Sequence, residues 1–492
     1  MVRYGIVAIG IVLLGACTAT QKPLRALPKK SAAALKSDFV LFQKILEANH
    51  PSLYWYTPKD SMDLYFSQGI NSISDSMNEV EFRNRVAWVV SRIRCGHTTV
   101  LPSKKFPATQ YRFPSFPLYL KTWEDSLVVI GNLFQKDSIF KRGTIITGIN
   151  GRSNQQILDS IFQFISSDGN AFNYKSQVLS GNFPVWYKNI FGLDSSYRVS
   201  YIDSTGKEAM AVLKNFRPVA DTSKRAKPGT ITVPFKKPTR REIRRAQLLA
   251  KRVMVIDTAL STAIIRLTTF SSGRLRTFFR QSFRKIKEQK IEHVVLDLRE
   301  NGGGDVSTSI LLTKYLSDHP FKVGDSVFAI SRKFKYHKYI HPTLQYWLAM
   351  NFGSRKMEDG LVHYRRYERK LFEPKKKYHF DGQLTLLQGG YSFSATTMFV
   401  ANLKGQKNTT VAGEESGGGY YGNSAMYLPT ITLPNSKIRI SLPMYRLVMD
   451  ASRPKGRGII PDLPIPPSVQ AIRNGTDVKL FTIHELIRNG KL

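Results

Sequence analysis

Apolar positions near the start of the chain recur at helical spacing. Leu35, Phe39, Phe42, Ile45 and Leu46 share one face between Ala34 and His50, and Ser61 to Ile73 and Val80 to Ile93 continue the pattern. From Phe116 to Leu213 the period shifts toward two, as in Leu127 to Ile130 and Tyr197 to Tyr201, and Asn150-Gly151 marks a hairpin turn. Asn215 to Arg252 is rich in basic residues and proline and has little apolar periodicity before Ile243, which predicts an exposed insertion ending in a short basic helix. Beyond Met254, strands and helices alternate. Strands are expected at Ala263 to Leu267, Val294 to Leu298, Leu384 to Leu387 and near Ile438 to Leu442. Helices are expected over Leu275 to Gln289, over Ser307 to Leu316 and from Ser394 onward. Such alternation predicts an α/β core with a partly parallel sheet. The expected order is a leader (1–17), a tether (18–33), an N-terminal helical cap (34–112), a β-rich domain (113–214), the basic insertion (215–253), the core (254–470) and a C-terminal helical tail (471–492).

The leader changes the setting. Arg3 precedes an apolar run from Gly5 to Ala16 that is shorter than the roughly 20 residues a membrane-spanning helix needs. It has the form of a secretory signal. The small residues of Leu14-Gly-Ala-Cys17 form a lipobox-like end, which implies cleavage, a diacylated Cys17 and attachment to a membrane. The plainer reading is an ordinary signal peptide beside a chance cysteine. With lipid on Cys17, Cys95 is the only other of 2 cysteines, so no intramolecular disulfide forms. The 492 residues, 42% of them hydrophobic, must rest on packed cores. A net charge of +37 would ordinarily suggest nucleic acid. Export and the absence of any nucleic-acid motif argue against that partner. The excess concentrates in Lys224 to Arg252, Arg365-Arg366 and Lys375 to Lys377, which suits an anionic lipid or cell-wall surface.

Chemistry enters at two segments. The buried strand Val294 to Leu298 runs toward Gly302-Gly-Gly304, where bare backbone can approach a ligand closely. About ninety residues later, Ser392-Phe-Ser-Ala-Thr-Thr397 places small hydroxyl residues before the apolar run Met398 to Leu403. A serine there stands at a helix N-terminus, whose orphan amides favour developing negative charge. A nucleophile beside an oxyanion hole is the equipment of acyl transfer.

Asp297 to Gly304, Phe393 to Thr397, Val411-Ala-Gly-Glu414 and Gly458-Ile-Ile-Pro-Asp462 together resemble the ordered motifs of the tail-specific, or C-terminal processing, serine peptidases. The resemblance implies that Ser394 is the nucleophile, with Ser392 as its competitor and helix capping as the non-catalytic alternative. It also implies an oxyanion hole built from the Ala395 amide and one from Gly302 to Gly304, Gly302 or Gly303 first. The lysine of the bacterial processing branch is missing, because the corresponding loop reads Ser416-Gly-Gly-Gly-Tyr420. Arg94-Cys-Gly-His-Thr-Thr-Val100 is instead similar to the histidine motif of the tricorn-core and interphotoreceptor retinoid-binding protein-like branch, which makes His97 the expected base. Two departures stand out: Gly96 replaces a serine, and Lys455 takes the place of a glutamate. The orienting carboxylate is therefore unassigned. Glu414 and Asp462 are candidates by motif proximity, and Lys455 is a candidate replacement base. Arg142 to Ile157 resembles the PDZ domains of these peptidases, which implies capture of a peptide as an added strand. No metal-binding spacing and no phosphate loop appear, so no cofactor is expected. Three readings stay open: an exported, lipid-anchored envelope serine endopeptidase acting on peptides or unfolded proteins, an inactive peptide- or ligand-binding lipoprotein of the same fold, and an envelope scaffold docking anionic polymer through Lys224 to Arg252.

Overall fold

The central sheet forms where the strand–helix alternation predicts it. In a computed structural model describing residues 27–107, 114–218 and 238–492, it has six strands. Their spatial order is Leu463–Pro464, Thr409–Gly413, Gln383–Gln388, His293–Asp297, Thr262–Leu267 and Arg252–Asp257. The first five run parallel and the last is an antiparallel edge. The fold class is α/β with a partly parallel sheet. The leader with Cys17 and the middle of the basic insertion lie outside the described residues.

One face of the sheet is covered by amphipathic helices. Helix Leu275–Glu288 buries Leu275, Phe278, Phe279, Phe283 and Ile286 at helical spacing and turns its arginines and lysines outward. Phe279 and Phe283 are each 1% exposed, and burying one such side chain is worth roughly 1.5–3 kcal/mol. The C-terminal tail closes the opposite face. Helix Val478–Arg488 packs Ile483 and Ile487 against Val295, Leu387 and Ala412 of the central strands. The tail is thus part of the core, and its first helix begins at Val469, inside the range expected for the core domain.

Arg299 pins that tail. Its guanidinium forks onto Asp297 at 2.7 and 2.9 Å and onto Asp477, the N-cap of the last helix, at 2.7 and 2.8 Å. The Asp297 side chain is only 6% exposed, so removing the cation strands a buried carboxylate. Arg299→Met is expected to destabilise the chain by about 3 kcal/mol, the lower end for breaking a buried pair. A urea midpoint within experimental error of the parent chain would show that the clasp carries no weight.

The helical cap starts earlier than its periodicity suggested, because Ser31 caps helix Ala32–Asn49 and Lys30 pairs with Met77. Helices Lys59–Asn71 and Glu79–Arg92 follow, the latter opened by a capping box of Asn78 and Glu81. The cap is not separate from the core domain. Phe39, Phe42, Phe66 and Phe82 share one cluster with Ile340, Ile431, Ile440 and Tyr445. Strand Val100–Leu101 pairs with Arg439–Ser441, which anchors the turn just before it.

The β-rich unit is an antiparallel sheet with its own core around Phe116, Tyr187 and Tyr197. Its hairpin turn forms as predicted, with Asn150 at φ 53° and Gly151 at φ 77° between paired strands. In the basic insertion, Thr239 caps helix Arg240–Leu249, which buries none of its residues.

Candidate active site

The site lies beyond the carboxyl ends of two adjacent parallel strands, where α/β sheets commonly bind ligands. Strand His293–Asp297 leads into Asn301 to Gly304, and strand Gln383–Gln388 leads into the turn before helix Ala395–Leu403. Ser394 occupies that turn at φ 58°, ψ −122°, a backbone region that costs a non-glycine residue on the order of 1–3 kcal/mol. The strained turn sets its hydroxyl into a cavity of about 610 Å³. Gly302, Gly303, Gly304, Thr268, Ser271 and His97 also line this space, with Met398, Tyr346, Tyr367 and Tyr427 as its apolar wall.

Ser392 is excluded as the competitor by its surroundings. It is fully buried, donates to Leu298 O at 2.9 Å and accepts from the Gly389 amide at 3.1 Å. Those bonds make it a strut between neighbouring strand ends.

His97 arrives from the opposite end of the sequence. After helix Glu79–Arg92 the chain turns through Arg94, at φ 58°, and Gly96. The His97 Nε2 then lies 3.0 Å from Ser394 Oγ. The Phe393 ring packs on the imidazole at 4.6 Å between centroids and is itself stacked on Tyr174 at 4.8 Å. This packing accounts for Gly96, because a Cβ there would stand 2.6 Å from Phe393 Cζ. The serine expected at that position has no room. Next to His97, Thr98 is held by His50, whose Nε2 lies 2.7 Å from the threonine hydroxyl. Burial holds the His97 pKa down at about 4, so the imidazole is neutral at pH 7 and free to accept a proton.

The oxyanion-hole candidates separate on their hydrogen bonds. The Gly303 amide already donates to Asn301 Oδ1 at 3.0 Å, so it is not a free donor. The Ala395 and Gly302 amides have no acceptor among the described residues. Gly303 acts by its shape instead, since its Cα approaches the Ser394 turn too closely for any side chain.

None of the three charged candidates touches the pair. Glu414 is paired with Lys479 of the last helix. Asp462 is paired with Lys404 and accepts from the Val411 amide at 3.0 Å. Lys455 donates to Trp55 O at 2.7 Å and lies over the Trp55 and Tyr56 rings. The first two fasten strand ends, and the third is a surface contact. His97 Nδ1 is buried without a hydrogen-bond partner among the described residues. The nearby carboxylate that sequence reasoning missed is Asp168. It accepts from the Gly96 amide at 2.8 Å and, more weakly, from the Gly419 amide at 3.4 Å. Asp168-Gly-Asn170 reads in sequence as an ordinary polar turn, and nothing in its composition signals burial.

Residues 261–465 match peptidase family S41. No match is found among curated proteins. The solved structure of mature CPAF is similar at a TM-score of 0.64 and 12% identity, over 93% of this chain and 98% of that one. CPAF complexed with lactacystin is similar at a TM-score of 0.61 and 11% identity, over 93% and 99%. At these identities the likeness is one of fold.

Proposed function

We propose that this chain, whose residues 261–465 match peptidase family S41, is an exported, lipid-anchored serine endopeptidase working through an acyl-enzyme on Ser394. The observation that carries the proposal is the 3.0 Å approach of His97 Nε2 to Ser394 Oγ across 297 residues of sequence. Ser394 Oγ attacks the peptide carbonyl while His97 Nε2 takes its proton. The amides of Ala395 and Gly302 receive the oxyanion, a contact worth about 2.7–4 kcal/mol where one donor has been removed from such a hole. His97 then returns the proton to the leaving amine, and a water activated by the same nitrogen releases the acyl group.

The substrates are peptides or unfolded proteins, held in the cavity and captured in part by the β-rich unit as an added strand. The lipobox-like Cys17 supports attachment to the cell envelope, and the exposed cations of helix Arg240–Leu249 support contact with an anionic surface there. The orphaned His97 Nδ1 favours a second reading, a binding protein whose base is too poorly held for turnover.

A fluorophosphonate probe separates the two, because it reacts with an activated serine. The intact chain is expected to be labelled on Ser394, and Lys455→Ala is expected to be labelled as fast as the parent. Absence of labelling together with absence of cleavage of any peptide pool would favour the binding protein. Loss of labelling in Lys455→Ala alone would make that lysine part of the machinery. The similar CPAF fold has been solved with lactacystin, which makes that compound a second probe for the Ser394 cavity.

A further inference from the structure

Asp168 lies in the loop between helices Asn154–Phe162 and Phe172–Gly181 of the β-rich unit. It is 2% exposed, and among the described residues no cation holds its carboxylate, whose hydrogen bonds come from the backbone amides of Gly96 and Gly419. A carboxylate buried on those terms is costly unless its position matters. Each donor sits in a segment that borders the Ser394–His97 pair. Gly96 immediately precedes His97. Gly419 ends the Gly417-Gly418-Gly419 loop, whose first two amides donate to Ser392 O at 3.0 and 3.2 Å, directly behind the Ser394 turn. The loop presenting Asp168 is itself fastened. The Gly169 amide donates to Arg94 O at 3.0 Å and the Asn170 amide to Gly456 O at 2.9 Å. Gly169, at φ 54°, has no space for a side chain, since a Cβ would stand 2.5 Å from Gly456 Cα.

We propose that Asp168 is a positioning residue for the Ser394–His97 pair, its carboxylate tying the turn that carries the base to the loop that backs the nucleophile. It fixes the imidazole through the backbone, where a carboxylate on His97 Nδ1 would do so directly. Two features of the sequence fit this role: at Gly96 a Cβ would also stand 3.3 Å from Asp168 Oδ1, and the glycine loop found where the processing lysine would be supplies the second amide. The inference rests on the catalytic reading of Ser394 and His97.

It also gives the site a pH signature. Burial raises the Asp168 carboxyl to about 7, against the two amides, which lower it. The titratable groups against it are the Tyr56 and Tyr174 hydroxyls and the Cys95 thiol, all pushed up by burial and neutral at pH 7. The charged neighbours are Arg94, hydrogen-bonded to Asn170, and Lys455 and Arg457 beside Gly456. His97, near 4, stays neutral across this range. As pH falls through about 7, Asp168 gains a proton and one amide loses its carboxylate acceptor.

The test is the pH profile of kcat/KM for the full chain and for Asp168→Asn, with peptide substrate. The parent is expected to lose activity with a midpoint near pH 7. Asp168→Asn keeps an oxygen for the Gly96 amide but turns an NH₂ toward the Gly419 amide. It is expected to lose kcat on the order of 10²-fold, the scale of an ångström-level misplacement, with KM little changed and the limb near pH 7 gone. A kcat equal to the parent's, or the same limb in Asp168→Asn, overturns the proposal. If that variant does not fold, Asp168→Glu is measured in its place: a kcat equal to the parent's overturns the role, and a fall in kcat with KM little changed supports it. Labelling by the fluorophosphonate that persists in Ser394→Ala would instead overturn the underlying catalytic reading.

Discussion

Ser394→Ala is expected to lower kcat/KM on a fluorogenic peptide pool by on the order of 10⁴–10⁶-fold, the range seen when a nucleophile and base that act as one unit lose a member. The fold should survive almost unchanged. The substitution removes one hydroxyl, whose contact is with His97 at 3.0 Å, and alanine inherits the same strained turn. His97→Ala is expected to lose nearly as much, and the double substitution little more than either alone, because a proton acceptor without its nucleophile contributes nothing. Vigorous cleavage by Ser394→Ala would remove the serine from the mechanism. Losses that add in the double variant would mean the two residues serve separate purposes.

The second large effect is geometric. Gly303 sits at φ 97°, and a Cβ there would lie 2.7 Å from Phe393 O, 2.7 Å from Ser394 Cβ and 2.9 Å from the Ala395 amide nitrogen. None of these atoms is the far end of a flexible side chain, so the Ser394 turn must shift from its place beside His97. Gly303→Ala is expected to lose on the order of 10²-fold in kcat and about 1–3 kcal/mol of stability from the strained backbone. Gly302→Ala is the comparison, since its Cβ meets nothing within 4 Å. It should cost at least tenfold less in kcat, on the order of the difference between a displaced and an undisplaced turn. Equal losses in the two would argue that the triplet matters for flexibility and not for close approach.

Those residues were legible because their chemistry is local. A strand ending in glycines and a hydroxyl residue opening an apolar helix carry their meaning in a few consecutive positions, as Gly303 and Ser394 do. His97 was legible for a similar reason, being held by a turn between a helix and a β-branched strand. The parallel core followed from periodicity alone. What stayed hidden depended on distance. Glu414 and Asp462 stand close to the motifs in sequence yet face Lys479 and Lys404, because a strand end has two sides and sequence does not say which one meets the base. Asp168 precedes Ser394 by more than two hundred residues, and a buried acid has the same letter as a solvated one. The helical cap looked self-contained for the same reason. Phe39 and Phe66 pack on Ile431 and Tyr445, partners that no local window contains.

The three parts of the site come from three stretches far apart in sequence: the cap supplies His97, the β-rich unit Asp168, and the core Ser394 with its glycines. Domains of a growing chain form in order from the N-terminus. The cap cannot follow that order, because Phe39 and Phe66 bury themselves against Ile431 and Tyr445, so the base is not fixed until the core has been made. Until the last helix docks its Ile483 on the back of the sheet, the strands that aim Gly303 and Ser394 lack half their cover. A chain still being made therefore holds no assembled Ser394–His97 pair. Assembly of the pair is thus a late event in the life of the chain, set by the order of its parts.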